Sequence, residues 1–321
     1  MKFLITIDTE ADNQWDHGID LNTKNIEHVP RFQVLCNRYN IKPTYLVTTE
    51  VCENEFAKNI FSQYSIAGQA EIGAHLHSWT TPPFVDKEGY RYNDPFHAFA
   101  TEMPDNLLIE KLKNLTSQIE SSFGTRPVSF RSGRYGFDER VAKVLIELGY
   151  KVDSSVTPFT NWKNCKGAPS GVGGPDFMHK TNTPYTITTN SGSILEVPVT
   201  ILPTKWPLTH NPELARYLFQ KVDDSFFMRA VRKLMFANQP LWLRPNKNSK
   251  IENFIRIINE AKRLKLPFIV MMFHSSELMP GGSPYWTNEK EIEILYRFLE
   301  EFFSFLQDNN IESITLNKTV I

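Results

Sequence analysis

Short runs of apolar, largely β-branched residues alternate along this chain with longer segments whose apolar residues recur at helical spacing. The predicted strands are residues 3–7, 44–48, 70–74, 128–130, 194–199, 268–273 and 313–316. The predicted helices are residues 28–39, 106–123, 138–148, 251–264 and 289–306. Apolar strands that alternate with helices form a parallel sheet covered on its outside. About seven such units predict an α/β fold, a (β/α)7-type barrel, rather than two separate domains.

The segment from about 154 to 245 interrupts this alternation. It contains eight prolines between 158 and 212, and the glycine cluster Gly171-Val-Gly-Gly174. Such composition is typical of long loops. We therefore expect a single domain spanning 1–321 with an irregular insertion at 154–245, and long loops of this kind usually lie over the active face of a barrel.

Composition narrows the classes of function. Lys plus Arg number 35 and Asp plus Glu 36, so the net charge of -1 provides no global positive field for nucleic acid. The three cysteines include no CxxC pair, which argues against a disulfide scaffold or a thiolate zinc site. No apolar run approaches the roughly 20 residues of a membrane span, and the first acid follows too soon for a signal peptide. These features predict a cytoplasmic protein without a transmembrane segment.

Two clusters of candidate metal ligands follow predicted strands. Asp8 and Glu10 end the first strand and, two residues apart, point to the same side. His75 and His77 have the same spacing after the third strand and can direct both imidazoles at one ion. The alternatives are acids that cap the next helix and histidines with a structural role.

Two further clusters carry a basic group to a strand end. Arg131 opens an Arg-Ser-Gly-Arg-Tyr-Gly run, where an arginine can hold a carboxylate ionised and glycines let the backbone approach a ligand. The alternative is a tight turn with solvated arginines. His274 follows the apolar run 268–273, a position suited to a general acid.

In this order the clusters resemble the polysaccharide deacetylase family, the NodB-homology group of carbohydrate esterases. The runs EIGAHLHSWTTPP, FRSGRYG and FHSSELMPGGSPY are similar to a branch found among lipopolysaccharide and O-antigen biosynthesis proteins. The resemblance implies a distorted barrel of about seven strands. It also implies that a water bound to a divalent metal removes the acyl group of an N-acyl sugar.

The resemblance implies a role for each matching residue. Asp8 stands at the catalytic-base position, and Arg131 at the position of the arginine that pairs with the base. Tyr135 would contribute its backbone N–H to the oxyanion hole, and His274 would protonate the leaving amine. Glu10, His75 and His77 are the predicted metal ligands.

The sequence departs from the family pattern at two places. The family's second motif has histidines four residues apart, but Trp79 stands four after His75 here, and His77 is therefore assigned as the third ligand. The aspartate and tryptophan of a further motif have no clear match; Asp153 is the candidate for the orienting aspartate, and no tryptophan is assigned. Such ligands suit zinc, while nickel, cobalt or iron would fit the same set.

The expected substrate is an N-acetylated amino sugar of a cell-surface polysaccharide or lipopolysaccharide precursor, carried as a nucleotide sugar or a lipid-linked glycan. An amino-sugar deformylase and a non-catalytic carbohydrate-binding descendant of the fold are the alternatives. The apolar and basic segment 226–236 predicts either peripheral membrane contact or an ordinary helix packed on the barrel.

Overall fold

The computed structural model describes residues 1–15, 21–89, 91, 99–165, 167, 173–220 and 239–320. The strands there are β1 (Lys2–Thr9), β2 (Pro43–Val47), β3 (Glu71–Leu76), β4 (Ser129–Ser132), β5 (Val152–Asp153), β6 (Tyr185–Thr189), β7 (Gly192–Glu196), β8 (Ile201–Leu202), β9 (Leu241–Trp242) and β10 (Phe268–His274). The α-helices are α1 (Val29–Arg38), α2 (Thr49–Glu53), α3 (Glu55–Ile66), α4 (Asp105–Phe123), α5 (Glu139–Glu147), α6 (Pro212–Gln220), α7 (Ile251–Arg263) and α8 (Glu289–Asp308).

Eight of these strands form one curled sheet, in the order β10-β1-β2-β3-β4-β5-β7-β6. All neighbours in it pair in parallel except β6 and β7, which form an antiparallel hairpin at one edge. The parallel strands bring their carboxyl ends to the same rim of the sheet. The predicted α/β class and distorted barrel are thus confirmed, with an antiparallel edge strand that the sequence pattern did not predict.

The short ribbon of β8 and β9 lies against the other edge of the curled sheet. The backbone N–H of Thr200 donates to the carbonyl of Val270 at 3.2 Å, and Met272 N–H donates to the carbonyl of Leu243 at 3.3 Å. These bonds give β10 partners on the side away from β1, so residues around the ribbon partly close the barrel.

Strand β1 lies between two apolar layers. Phe3, Ile5 and Ile7 face outward into the main core beneath the helices, and Leu4 belongs to a smaller cluster inside the sheet. Both faces of the strand are therefore buried, which explains its continuous apolar sequence. Helix α8 covers the sheet from outside with a stripe of buried leucine and phenylalanine side chains.

The prediction of a strand at 313–316 was wrong. Ser313 forms only an isolated bridge with Phe3, and a 3-10 helix, Leu316–Thr319, follows. Side chains replace the strand pairing here, because the Leu316 N–H donates to Thr44 Oγ1 and the Asn317 N–H donates to Glu71 Oε2, both at 2.9 Å. The described part of the sheet still has seven parallel strands, because β5, which the sequence pattern did not predict, makes up the number.

The predicted insertion at 154–245 contains β6 to β9 and α6 within its described part. The glycine cluster at 171–174 lies partly outside the described residues, and the segment 226–236 lies wholly outside them. No helix of the described residues is long and apolar enough to cross a bilayer.

Candidate active site

Four strands deliver the predicted site residues to one rim of the sheet. Asp8 on β1 is in register with His274 on β10, and His75 on β3 is in register with Arg131 on β4. Because the strands are parallel, their carboxyl ends meet, and residues more than 250 positions apart in sequence become neighbours.

Glu10, His75 and His77 form a buried group whose potential ligand atoms all lie within 4.8 Å of one another. The Glu10 Oε2 atom is 3.0 Å from His77 Nε2 and 3.6 Å from His75 Nε2. Two imidazole nitrogens and a carboxylate oxygen that converge in this way are a donor set for a divalent transition metal. The group that the sequence predicted is therefore assembled as a possible metal site, and its geometry does not identify the ion.

The neighbours of the two histidines are consistent with metal binding through Nε2. His75 Nδ1 lies 3.0 Å from the Arg131 carbonyl oxygen, which can only accept, so Nδ1 carries a proton and Nε2, on the side of Glu10, is the nitrogen that can bind a metal. The His77 ring stacks on Trp79 at a centroid distance of 4.2 Å, and its buried Nδ1 has no hydrogen-bond partner among the described residues. The tryptophan at the departure from the family pattern thus holds the ring of a candidate ligand.

Asp8 forms a buried ion pair with Arg131. Arg131 Nη1 donates to Asp8 Oδ1 at 2.7 Å, while Nε donates to the Ser154 carbonyl and Nη2 to Ser154 Oγ. The side chain of Arg131 is completely buried. Asp8 Oδ2 stays on the other side of the carboxyl group, 4.0 Å from His75 Nε2 and 3.9 Å from His274 Nε2.

The charges around Asp8 and Glu10 keep both carboxylates ionised. Burial alone would raise the pKa of Asp8, but Arg131 together with His75 and His274 lowers it below its usual value. Burial likewise opposes ionisation of Glu10, but His274, His77 and His75 lower its pKa well below its usual value. Burial would lower the pKa of His75, but Asp8 and Glu10 raise it.

His274 has a different orienting partner from the one assigned by sequence. Its Nδ1 lies 2.9 Å from Glu277 Oε1, and the same oxygen accepts from Arg244 Nη2 at 2.8 Å. Asp153 instead accepts from the backbone N–H and hydroxyl of Ser155. Burial opposes ionisation of Glu277, but Arg244 and His274 lower its pKa.

The sequence reasoning missed Glu277 although a local signal existed. A carboxylate three residues after a histidine can reach back to it where the chain turns into a short helix, and Ser275–Leu278 is such a 3-10 turn. The signal for Arg244 was weaker, because this residue comes from the segment after β9 and meets Glu277 only in the folded chain.

The turn after β4 brings the backbone of Tyr135 to the site. Arg134 and Tyr135 both have left-handed φ angles, of 52° and 62°, which are uncommon for residues with a side chain. The Ser132 hydroxyl closes the turn by donating to the Gly136 carbonyl at 2.8 Å. The Tyr135 ring stacks on Trp162, and burial raises the pKa of its hydroxyl to about 12.

Six of the seven predicted site residues line one cavity, which we name the central pocket. The exception is the buried Arg131. The volume of the pocket is about 310 Å³, at the lower end of the range for small-molecule sites. Trp15 forms part of the wall, with its ring 4.8 Å from that of His274 and 5.6 Å from that of Tyr285. The pocket thus combines converging charged groups with aromatic faces of the kind that pack against sugar rings.

No family model matches this chain, and no curated protein matches it. Solved structures do match over almost its whole length. A protein assigned as a polysaccharide deacetylase from Mycobacterium smegmatis aligns with a TM-score of 0.56 at 15% identity, covering 99% of this chain and 89% of that one. Another so assigned, from Pseudomonas aeruginosa PAO1, aligns with a TM-score of 0.50 at 15% identity, covering 99% and 88%.

The chain has the fold of polysaccharide deacetylases. A 4-alpha-glucanotransferase from Thermococcus litoralis also aligns, with a TM-score of 0.51 at 12% identity over 99% of this chain and 38% of the larger protein. Proteins with different names therefore share this fold, so the reaction has to be argued from the side chains of the site.

Proposed function

We propose that this chain is a metal-dependent hydrolase that removes the acyl group, normally acetyl, from an N-acylated amino sugar. The observation that carries the proposal is the juxtaposition of three groups in one pocket. A candidate ligand set, Glu10 with His75 and His77, lies beside the Asp8–Arg131 ion pair and His274. A carbohydrate-binding protein has no use for a base, an acid and metal ligands at once.

Glu10, His75 and His77 would hold the metal. When bound, a divalent ion there lowers the pKa of a coordinated water and polarises the amide carbonyl of the substrate. A set of two imidazoles and one carboxylate is typical of catalytic zinc, and zinc is our proposal, although nickel, cobalt and iron use the same donors.

Asp8 acts as the general base in this proposal. Arg131 occupies its Oδ1 atom, which leaves Oδ2 on the side of His75 and His274 to accept a proton from the attacking water. The ion pair keeps the carboxylate charged in a buried setting and fixes its orientation.

His274 acts as the general acid. In the imidazolium form, Nδ1–H donates to Glu277, and the proton on Nε2 is free to pass to the departing amine. The Tyr135 backbone N–H is our candidate for stabilising the oxyanion, because its turn borders the central pocket.

The finer proposals concern substrate and location. The motif wording favours a lipopolysaccharide or O-antigen precursor, carried as a nucleotide sugar or a lipid-linked glycan, and processed in the cytoplasm. The buried free thiols of Cys36 and Cys52 suit a reducing compartment. We also propose peripheral membrane contact through the apolar and basic segment 226–236. Binding to anionic vesicles in a flotation assay would test it.

Acetate release from N-acetylated oligosaccharides tests the activity. We expect release by the zinc-loaded wild type and loss of turnover in Asp8→Asn and His274→Ala, with Lys318→Gln, an exposed change at the opposite rim, as the active control. Release of formate from N-formyl sugars at a higher kcat/KM would favour the deformylase. Binding without release of either acid would favour the non-catalytic alternative.

A further inference from the structure

The central pocket is the first of three neighbouring cavities, each of which shares lining residues with the next. A second cavity of about 690 Å³ shares Arg244 and Tyr285 with the central pocket, and we name it the amide cavity. A third cavity of about 400 Å³ shares Gln239, Leu241 and Asn248 with the amide cavity. The shared residues make the second cavity a neighbour of both the central pocket and the third cavity.

The third cavity, which we name the basic cavity, is lined by cationic side chains. Lys205, Lys250 and Arg256 border it, with Glu252 as the one acid. Among the residues that the structure describes, no carboxylate pairs with any of these three cations, whereas Arg244 and Lys247 nearer the central pocket each have an acidic partner. Unpaired cations around a common space form a site for an anion.

The walls of the amide cavity suit a glycan. Asn246, Asn248 and Asn253 offer side-chain amides, and Trp242 and Tyr285 offer aromatic surface. Amide groups can both donate and accept hydrogen bonds, as sugar hydroxyls do, while aromatic faces pack on the apolar faces of sugar rings. A neutral sugar unit fits this stretch better than a charged group.

From this arrangement we propose that the substrate is an extended glycan that carries a phosphate group away from the acylated sugar. The acylated sugar occupies the central pocket, an assignment that rests on the proposed function, one or more neutral units occupy the amide cavity, and the phosphate binds in the basic cavity. Three cations match a phosphate mono- or diester better than a single carboxylate, and none of them lines the central pocket, where a phosphate on the acylated sugar itself would lie.

Binding of matched synthetic glycans, measured by calorimetry, tests the proposal. The probes are N,N′,N″-triacetylchitotriose, its reducing-end 1-phosphate, the same trimer ending in a glucuronate, and N-acetylglucosamine with and without a 1-phosphate. We expect the phosphate to tighten binding of the trimer about tenfold and to change binding of the monosaccharide little. Equal binding of neutral and phosphorylated trimers would overturn the proposal, and equal gains from glucuronate and phosphate would overturn the assignment to phosphate.

Variants localise the effect. The double variant Lys250→Gln/Arg256→Gln should lose the preference for the phosphorylated trimer and keep wild-type affinity for the neutral one. Lys318→Gln removes one exposed cation at the opposite rim and should keep the preference. Loss of the preference in the control, or its persistence in the double variant, would place the phosphate elsewhere and overturn the proposal.

The same binding assay separates two sources of the phosphate and separates this inference from the proposed activity. A glycan that ends in a free 1-phosphate and a glycan on a short prenyl phosphate present the group differently, and the tighter ligand identifies the source. If the phosphorylated trimer binds preferentially but no acyl group is ever released, the proposed function fails and the anion site stands. If acetate is released from neutral and phosphorylated trimers with equal kcat/KM, the activity stands and the anion site fails.

Discussion

Two pairs of buried carboxyl groups near Arg131 have pKa values that are shifted in opposite directions. Asp8 and Glu10 are 3% exposed, and their pKa values are lowered. Asp153 and Glu196 are wholly buried, and their pKa values are raised, foremost by burial. Burial opposes ionisation in both pairs, so the difference comes from their partners.

The first pair has basic side chains as direct partners, whereas the second pair accepts hydrogen bonds from neutral backbone and hydroxyl groups. Asp8 accepts directly from Arg131, and Glu10 lies beside His75 and His77. Glu196 accepts from the Val156 N–H and is in register with Asp153 across β5 and β7, so the two carboxyl groups interact. This pair therefore favours keeping a proton, whereas Asp8 and Glu10 are held ionised at the rim where the proposed chemistry needs them.

The largest expected effect comes from removing the charge of Asp8. Asp8→Asn keeps the size of the side chain but removes the base, and kcat for acetate release should fall about a thousandfold. Glu196→Gln, the matched change in the other pair, should leave kcat within about twofold. Steady-state kinetics on metal-loaded proteins checks both, and a comparable loss in the two variants would break the distinction between the pairs.

The next effect concerns the space around His77. A Cβ atom at Gly133 would lie 2.7 Å from His77 Cδ2 and 2.6 Å from the Leu76 carbonyl oxygen, so Gly133→Ala should displace this candidate ligand. We expect metal affinity to fall about 10- to 100-fold, as for other changes around metal ligands. Gly136→Ala is the control in a competition titration with a chelator, since its Cβ would meet Phe99 and Ala100 instead. Unchanged affinity in Gly133→Ala would argue against His77 as a ligand.

A smaller effect is expected at the partner of His274. Glu277→Gln removes the carboxylate that Nδ1 faces, and kcat should fall about tenfold with little change in KM, because the residue orients the acid without lining the central pocket. Glu293→Gln, which removes an exposed partner of Arg31, should leave both constants unchanged. An increase in KM alone would indicate a role in binding rather than in proton transfer.

The smallest effect is a dependence of stability on pH. The folded state holds a proton on Glu196 that the unfolded chain releases above the ordinary value of 4.5, so the free energy of unfolding falls as pH rises through that value. Glu196→Gln removes this loss and keeps an acceptor for Val156. We expect the variant to be more stable than wild type by about 1 kcal/mol at pH 8 and no more stable at pH 4. Urea unfolding at both pH values measures the difference, and a variant that gains stability only at pH 4 would reverse the assignment.

Most of the site could be predicted from the sequence because the site residues lie at or just after the carboxyl ends of predicted strands. Parallel strands end at a common rim, so Asp8, His75, Arg131 and His274 were expected together, and the structure brings them together. The roles assigned to them remain predictions. The buried arrangement of His77 with Glu10 matches the ligand group expected from the two-residue spacing.

The rest of the site depends on contacts that strand patterns do not encode. Arg244 reaches Glu277 from a loop, and Trp15 contributes a wall from the segment after β1. The error at 313–316 has a similar cause, because hydrogen bonds from Leu316 and Asn317 to side chains of other strands replace a regular ladder. Apolar periodicity reports burial, and these cases depend on which polar partners the fold brings near.

Metal content is the most direct test of the central claim. Elemental analysis after incubation with zinc and removal of free ion should find about one divalent ion per chain in the wild type and in His274→Ala. His75→Ala and His77→Ala should lose it, since their Nε2 atoms converge on Glu10, whereas His274 faces Asp8. A wild-type protein that retains no zinc, nickel or cobalt, or one whose metal survives both ligand substitutions, would contradict the account.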